Sequence, residues 1–450
     1  MKLKQITNLN RYLFVVKLQT HVRYIKFVTL KFALITFSLF GMQNLVAILW
    51  PRTVKLYSLY KNKYFTKHHD KILSKIAYRY SNNLNIAVNN SPLNKQNILY
   101  LASNINDIGG HTRVLHDFIS YQDIQKYKLF LYLTEINENH NSKKTQTYNR
   151  LQPYLTHIQL STAKRNKTID KTTELINYVT TYKISTIVLF EHAWDLVILS
   201  SIVKLKKETN IKVIYYHHQN LHLTVFPNIM DVYIEITDGA LFRVKKTYDK
   251  AQFMEIPMII NHNEFEENTL SPKHLTLMTA IPFRKMFVNN SKVFPDLVIQ
   301  ILKYCPEWRY LIVTYKNDKW INLLNEYFAK KGVHDRVQII DSVNNLSSLK
   351  NKFDIYIDGL PIGGGKTIIE IMSINKACII LEDKRTLIRQ SNSLNFIKVY
   401  NFKELVCRIS KLKIDEEYKN KYIAQSTNIL TNCFNPIQIM QKFERIIDNL

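Results

Sequence analysis

The chain has 450 residues, 46% hydrophobic and 22% charged, a globular composition that excludes a largely disordered protein. Its length exceeds one ordinary hydrophobic core and predicts two domains plus an extension. The 62 basic residues outnumber the 36 acidic ones, which favours phosphorylated ligands or anionic lipid as partners.

Residues 1–90 form a basic, partly apolar N-terminal extension. Within it, residues 32–50 carry no charge and are long enough to cross a bilayer. Gln43 and Asn44 interrupt this run, and no small-residue cleavage site follows it, which disfavours a secretory signal. A spanning anchor, a helix in the membrane interface and a helix packed on the protein body all fit the run. We expect a cytoplasmic protein, held peripherally at the anionic inner face of the cell membrane.

From Asn97 the chain alternates short apolar strands with longer helical stretches, which predicts two domains of doubly wound parallel sheet. The first domain, residues 97–260, has predicted strands at 98–102, 129–133, 158–160, 186–190, 212–216 and 232–236. The second domain, residues 272–430, has predicted strands at 275–279, 310–313, 337–340, 355–357 and 377–381. The polar segment 261–272 reads as a linker, and residues 431–450 as a C-terminal helix.

Ligands of such sheets bind beyond the carboxyl ends of the strands, and three loops there carry polar residues. His111 stands at a predicted helix start after the first strand, although a surface histidine in a turn has the same signature. Glu191 also fits the ordinary preference for an acidic residue at a helix N-terminus. The HHQN run after the fifth strand suits a hydroxyl-rich substrate better than a metal, because no carboxylate stands at ligand spacing. The candidates for acceptor or sugar binding are Gly110, Glu191, His192, His218 and Gln219.

The segment Asp354–Glu370, DIYIDGLPIGGGKTIIE, reads as a buried strand, a glycine turn and the start of a helix. Such a junction directs backbone N–H groups and a helix dipole at an anion, usually a phosphate. A nucleoside-triphosphate P-loop is disfavoured, because it requires glycine six residues before Lys366, where Leu360 stands. The alternative is a turn that merely joins strand to helix.

The four cysteines are Cys305, Cys378, Cys407 and Cys433, with no CxxC pair among them. This spacing predicts free, buried thiols in a reducing compartment and neither a disulfide framework nor a zinc site. The sequence also lacks a clear Asp-x-Asp motif. We therefore expect no metal and no cofactor.

Four stretches of residues 97–381 resemble, in order, motifs of GT-B glycosyltransferases. NDIGGHT is similar to an Asp-x-Gly-x-His signature, and KVIYYHHQNLHLTVFPNIMDVYIEITD to a segment that ends in Met-Asp-Tyr-Ile-Ile-x-Asp. KVFP, from Lys292 to Pro295, falls where the family has Lys-x-x-Pro, and GGGKTIIE resembles the run that holds the nucleotide. Within this fold class the chain more closely resembles bacterial relatives of O-GlcNAc transferase and the N-glucosyltransferases. It implies two facing Rossmann-like domains.

The resemblance implies transfer of a sugar from a nucleotide-diphosphate donor, a UDP-sugar, to a bacterial glycan, a lipid-linked acceptor or a protein. It makes His111 the active-site histidine and brings Lys292 to the donor diphosphate. Lys366 and Thr367 would contact the phosphates, and Glu370 the ribose. The full set of predicted donor-binding residues is Arg284, Gly363, Gly364, Gly365, Lys366, Thr367 and Glu370.

A metal-free mechanism follows if cations and helix N–H groups neutralise the leaving diphosphate. Lys292 and Lys366 would do this, with Arg284 in reserve. His111 acts either as the general base for the acceptor hydroxyl or as a positioning group. The retaining GT-B pattern of two glutamates eight apart is missing, because Ile362 stands eight before Glu370, and this favours inversion. The alternatives are an inactive GT-B-like scaffold and, from charge alone, a nucleic-acid-binding protein; no nucleic-acid motif supports the latter.

Overall fold

The computed structural model consists of two compact units, one of Met1–Ile256 with Met440–Leu450 and the other of Pro257–Ile439. The predicted linker at 261–272 lies outside the residues it describes. Those residues are 25–64, 67–89, 92–107, 110–136, 141–163, 167–190, 195–217, 229–236, 252–260, 274–286, 293–315, 318–343, 346–360, 365–381 and 397–450.

Among the described residues, three helices precede the first sheet: α1 at residues 25–39, α2 at Gln43–Tyr64 and α3 at Lys67–Asn82. The uncharged run 32–50 is therefore divided between two helices, with Gly41 at a φ of +68° in the turn, a conformation that suits glycine. In the part of the chain that is described, no helix has both the length and the apolarity needed to cross a membrane. One face of α1 and α2 is buried in the core of the first unit.

The first sheet has seven strands, and every neighbouring pair is parallel, in the order β3-β2-β1-β4-β5-β6-β7. This is the doubly wound order, with its switch point between β1 and β4. The strands are β1 Asn94–Ala102, β2 Lys128–Leu133, β3 His157–Leu160, β4 Ile184–Phe190, β5 Lys212–His217, β6 Val232–Glu235 and β7 Gln252–Glu255. The α-helices described between these strands are α4 Gly110–Tyr121, α5 Gln146–Leu151, α6 Thr168–Thr181 and α7 Leu196–Glu208.

The second sheet has six strands, also all parallel, in the order β10-β9-β8-β11-β12-β13. Its switch point lies between β8 and β11. The strands are β8 Thr276–Ala280, β9 Arg309–Thr314, β10 Val337–Asp341, β11 Ile355–Ile357, β12 Ala377–Leu381 and β13 Ile397–Val399. The helices are α8 Phe283–Met286, α9 Val293–Tyr304, α10 Asp318–Ala329, α11 Gly365–Ser373, α12 Phe402–Ile414 and α13 Glu416–Cys433, followed by α14 Pro436–Asp448.

The last helix, α14, returns the chain to the first unit, to which residues 440–450 belong. Phe443 is fully buried there and lies edge-on against Phe118 of α4, with 5.1 Å between ring centroids. At the end of the helix, Asp448 accepts hydrogen bonds from Lys126 and the Tyr127 hydroxyl, both at 2.6 Å.

The eleven predicted strands are confirmed within one or two residues at most ends, and β1 begins four residues earlier. The prediction missed β7 and β13, which form one edge of each sheet. The four cysteines are free, as predicted, but the expectation that all are buried is wrong: Cys305 and Cys378 are buried, whereas Cys407 and Cys433 are exposed on the surface of α12 and α13.

Candidate functional site

His111 is the second residue of α4, which starts at the carboxyl end of β1, beside the switch point of the first sheet. Its half-buried ring lies at the end of the neighbouring strand, where Nε2 is 2.8 Å from the carbonyl oxygen of Phe190. The loop that leads to it is fixed by two bonds. The Thr112 hydroxyl accepts from the Asn106 N–H at 3.0 Å, and Asp107 accepts from the Thr147 N–H at 2.9 Å.

This contact determines which nitrogen of His111 carries the proton. A carbonyl oxygen only accepts, so Nε2–H is the donor, and in the neutral ring Nδ1 is then the acceptor nitrogen. Burial lowers the pKa of His111 from 6.5 to about 4, more than the bond to Phe190 raises it. The imidazole is therefore neutral near pH 7, which is the form that a general base requires.

Behind this edge of the sheet lies a buried polar network around Asp195, the N-cap of α7. Asp195 accepts from the Thr134 hydroxyl at 2.5 Å and from the Ile198 N–H at 3.2 Å. Lys171 donates to the carbonyl oxygens of Thr134 and Glu135. Burial raises the pKa of Asp195, against the effect of these hydrogen bonds and of the nearby Lys171 charge. The network joins the end of β2 to the first turns of α6 and α7.

We expect Asp195→Ala to lower the free energy of unfolding by about 3 kcal/mol, because it removes a helix cap and leaves buried donors unsatisfied. Asp195→Asn keeps an acceptor oxygen of the same shape and should cost less than about 1 kcal/mol. Urea unfolding of the two variants measures both values. Equal losses in the two variants would contradict the assigned capping role.

A second histidine lies at the same edge, at the end of β5. His217 and Glu235 are register partners on β5 and β6, with side chains 2% and 0% exposed. Nδ1–H of His217 donates to Glu235 Oε1 at 2.7 Å, so Nε2 is the acceptor nitrogen of the neutral ring. Within the described residues, neither this Nε2 nor Glu235 Oε2 has a hydrogen-bond partner. The sequence analysis included His217 in the HHQN run without naming it among the candidate site residues, and it missed Glu235, although that residue also ends a strand, the signal that had identified Glu191.

In the second unit, α11 begins at Gly365, after the carboxyl end of β11 at the switch point of the sheet. The Thr279 hydroxyl donates to the Ile357 carbonyl at 2.6 Å, which fixes the strand end. Lys366 and Thr367 lie half-buried in the first turn of α11, and Glu370 lies one turn further on. The first turn of a helix has N–H groups without an intrahelical partner and the positive end of the helix dipole. This arrangement suits a phosphate.

Some predicted site residues are described only by their backbone position, and others lie outside the described residues. Arg284 belongs to α8, and its side chain is not described. Gly110 and Gly365 are the first residues of α4 and α11. Among the described residues, no group of three or more His, Cys, Asp or Glu could hold a metal ion. The predicted site residues that lie outside the described ranges are Glu191, His192, His218, Gln219, Lys292, Gly363 and Gly364.

No protein-family model matches the sequence, and no curated protein matches it either. Solved structures do match. An O-GlcNAc transferase of Thermobaculum terrenum is 13% identical with a TM-score of 0.57, over 93% of this chain and 89% of that chain. HepE of Anabaena, in complex with UDP and glucose, is 13% identical with a TM-score of 0.58, over 79% of this chain and 100% of that chain.

A glycosyltransferase from Rickettsia africae is 16% identical with a TM-score of 0.60, over 79% of this chain and 98% of that chain. Likeness at these identities concerns the fold. The topology agrees with it, since both sheets are parallel and doubly wound around a central switch point. The chain therefore has the GT-B fold of nucleotide-sugar glycosyltransferases, with a helical N-terminal region added.

Proposed function

We propose that this protein is a glycosyltransferase that moves a sugar from a nucleoside-diphosphate donor, a UDP-sugar, to an acceptor hydroxyl or amide. The observation that carries the proposal is the pair of switch-point helices. α4 brings a neutral histidine to the end of one sheet, and α11 presents its N-terminus at the end of the other. The GT-B fold, shared with a structure solved with UDP and glucose, supports the same function.

In the proposed reaction, Nδ1 of His111 takes the proton of the acceptor group as that group attacks the anomeric carbon of the donor. The bond from this carbon to the diphosphate oxygen breaks, and the nucleoside diphosphate leaves with the bonding electrons. The N–H groups at the start of α11 and the charges of Lys366 and Lys292 stabilise the leaving diphosphate, without a metal. His217, fixed by Glu235, offers its Nε2 for a hydrogen bond with a sugar hydroxyl.

The acceptor in this proposal is a bacterial surface glycan, a lipid-linked molecule or a protein. The proposed location is the cytoplasm, peripherally at the inner face of the cell membrane. A route from cytoplasmic nucleotide sugars to a lipid-linked acceptor requires a protein that meets both water and the membrane surface.

Thermal denaturation with UDP, GDP, CDP and TDP, each with and without EDTA, tests the donor site. Ligand at 100 times its Kd stabilises a protein by about 2.7 kcal/mol, so one nucleotide should raise Tm selectively. Retention of this shift in EDTA would support metal independence. Lys366→Met should weaken that nucleotide by about 10- to 100-fold, because it removes a charged donor to phosphate. Lys421→Met, at an exposed position on α13, is the matched control.

An inactive GT-B-like scaffold is the alternative function. It predicts no selective shift in Tm with any of the four nucleotides. It also predicts that Lys366→Met and Lys421→Met have the same effect on the Tm measured with each nucleotide. Such a result would overturn the proposed transferase.

A further inference from the structure

The pair of helices α1 and α2 with the turn that joins them, residues 25–64, is called the hairpin here. It carries an exposed apolar cluster around the turn, which we call the hairpin tip. Its members are Leu39 at 61% exposure, Phe40 at 74%, Met42 at 47%, Leu45 at 40% and Ile48 at 56%. Five of the ten residues from Leu39 to Ile48 are thus large, apolar and exposed. Single exposed apolar side chains are ordinary on protein surfaces, whereas contiguous ones mark a binding surface.

The opposite face of the same two helices is fixed to the protein body. Phe27 and Leu34 of α1, and Val46 and Trp50 of α2, are fully buried in the core of the first unit. The hairpin is therefore held in place by one face while the other remains in solvent. Both helices already have a core to pack against, so the absence of a packing partner within the first unit does not explain the exposed apolar residues.

The charged residues on the same two helices indicate what kind of surface the hairpin tip contacts. Residues 25–54 contain three basic residues and no aspartate or glutamate. Lys26 and Arg52 are exposed on α1 and α2, and the Lys31 ammonium lies 5.5 Å from the centre of the Phe32 ring. At 1.5 Å per residue, Lys31 lies about 12 Å along the helix from Leu39, and Arg52 about 6 Å from Ile48. Lys26 lies about 20 Å from Leu39 on the same measure. We call Lys26, Lys31 and Arg52 the basic collar, and an apolar tip with such a collar matches the acyl and headgroup layers of an anionic bilayer.

We propose that the α1–α2 hairpin docks the protein on an anionic lipid surface, with the hairpin tip in the headgroup and acyl boundary and the basic collar at the lipid phosphates. This inference deepens the proposed function, since it identifies the surface at which the transferase acts. A second copy of the chain fits the same face less well, because self-association would bring two basic collars together.

Flotation of the purified full chain with lipid vesicles tests the proposal. We expect binding to phosphatidylcholine vesicles that contain about 30% phosphatidylglycerol, little binding to phosphatidylcholine alone, and release by salt. The double variant Phe40→Ser, Ile48→Ser should lower the apparent partition coefficient at least tenfold. Lys26→Glu with Arg52→Glu should lower it on anionic vesicles by more than about fivefold per position.

The matched control is Ile414→Ser with Ile437→Ser, two apolar positions outside the hairpin that are 81% and 64% exposed. This control should bind vesicles as the parent does. Unchanged binding of the hairpin variants would overturn the proposal. So would a parent that forms a dimer in sedimentation velocity, dissociates on Phe40→Ser and does not float with vesicles. Nucleotide-induced shifts in Tm report the donor site separately, so either proposal can fail alone.

Discussion

Replacement of His111 by glutamine should reduce the turnover of donor and acceptor by at least 100-fold and leave nucleotide binding intact. The glutamine amide can donate to the Phe190 carbonyl as Nε2–H does, at 2.8 Å in the parent, but it cannot accept a proton. The expected loss follows from removal of general base catalysis, which contributes about 10²- to 10⁴-fold. Release of nucleoside diphosphate from the donor identified by thermal shift measures the rate, and the shift itself is the control.

The pH dependence separates a base from a positioning group. In the parent, the acidic limb of kcat/KM should fall near pH 4, because burial lowers the pKa of His111 from 6.5 to about 4. His111→Gln should lose this limb together with the rate. Turnover within a few-fold of the parent, while Lys292→Ala abolishes transfer, would contradict the assigned role.

The same depressed pKa affects stability. Between pH 6.5 and about 4 the unfolded chain binds a proton at His111 that the native chain does not bind. His111 therefore leaves the free energy of unfolding unchanged above pH 6.5, lowers it progressively as the pH falls from 6.5 to about 4, and causes no further loss below about 4. The full shift corresponds to at most about 3 kcal/mol. His111→Gln should accordingly show a smaller loss of stability on acidification than the parent.

Phe443→Ala should lower the free energy of unfolding by about 3–5 kcal/mol, the usual range for loss of a buried phenylalanine. Phe443 is fully buried, and Phe118, on which it lies, also contacts Tyr216 with ring centroids 4.8 Å apart. The variant leaves a cavity beside this aromatic group. Urea unfolding measures the loss, with Ile437→Ala, at a position 64% exposed on the same helix, as the matched control.

The ion pair at the end of α14 should matter far less. Lys126 and Asp448 are each 44% exposed, and exposed pairs contribute about 0–1 kcal/mol. Asp448→Asn should therefore cost less than about 1 kcal/mol. A larger loss for Asp448→Asn than for Phe443→Ala would show that charge, and not apolar burial, attaches α14.

The parallel sheets were predictable because their strands are covered on both faces. β4 is buried at every position from Ile184 to Phe190, and its last four residues, from Ile187 to Phe190, appear in the sequence as a continuous apolar run. β7 and β13 escaped prediction because they are short edge strands that carry polar residues, as in QFME and IKV. A run of four residues does not distinguish a strand from a loop.

The polar contacts were harder to predict than the strands. His217 meets Glu235 only because β5 and β6 pair in one register, and Asp195 meets Thr134 across 61 residues of sequence. Apolar patterning shows which segments are strands but does not specify their register. The start of α11 was predictable because a glycine run before an apolar segment is a local signal, whereas the glycine turn itself lies outside the described residues.

The return of α14 to the first unit has a consequence for biosynthesis. The first unit contains residues 1–256 and also residues 440–450. The 183 residues of the second unit are therefore translated before the last helix of the first unit is complete. Until then, the site that Phe443 fills is open, and apolar side chains such as Phe118 have no partner from α14. The first unit to leave the ribosome is thus the last to be completed, and the nascent chain needs protection from aggregation throughout that interval.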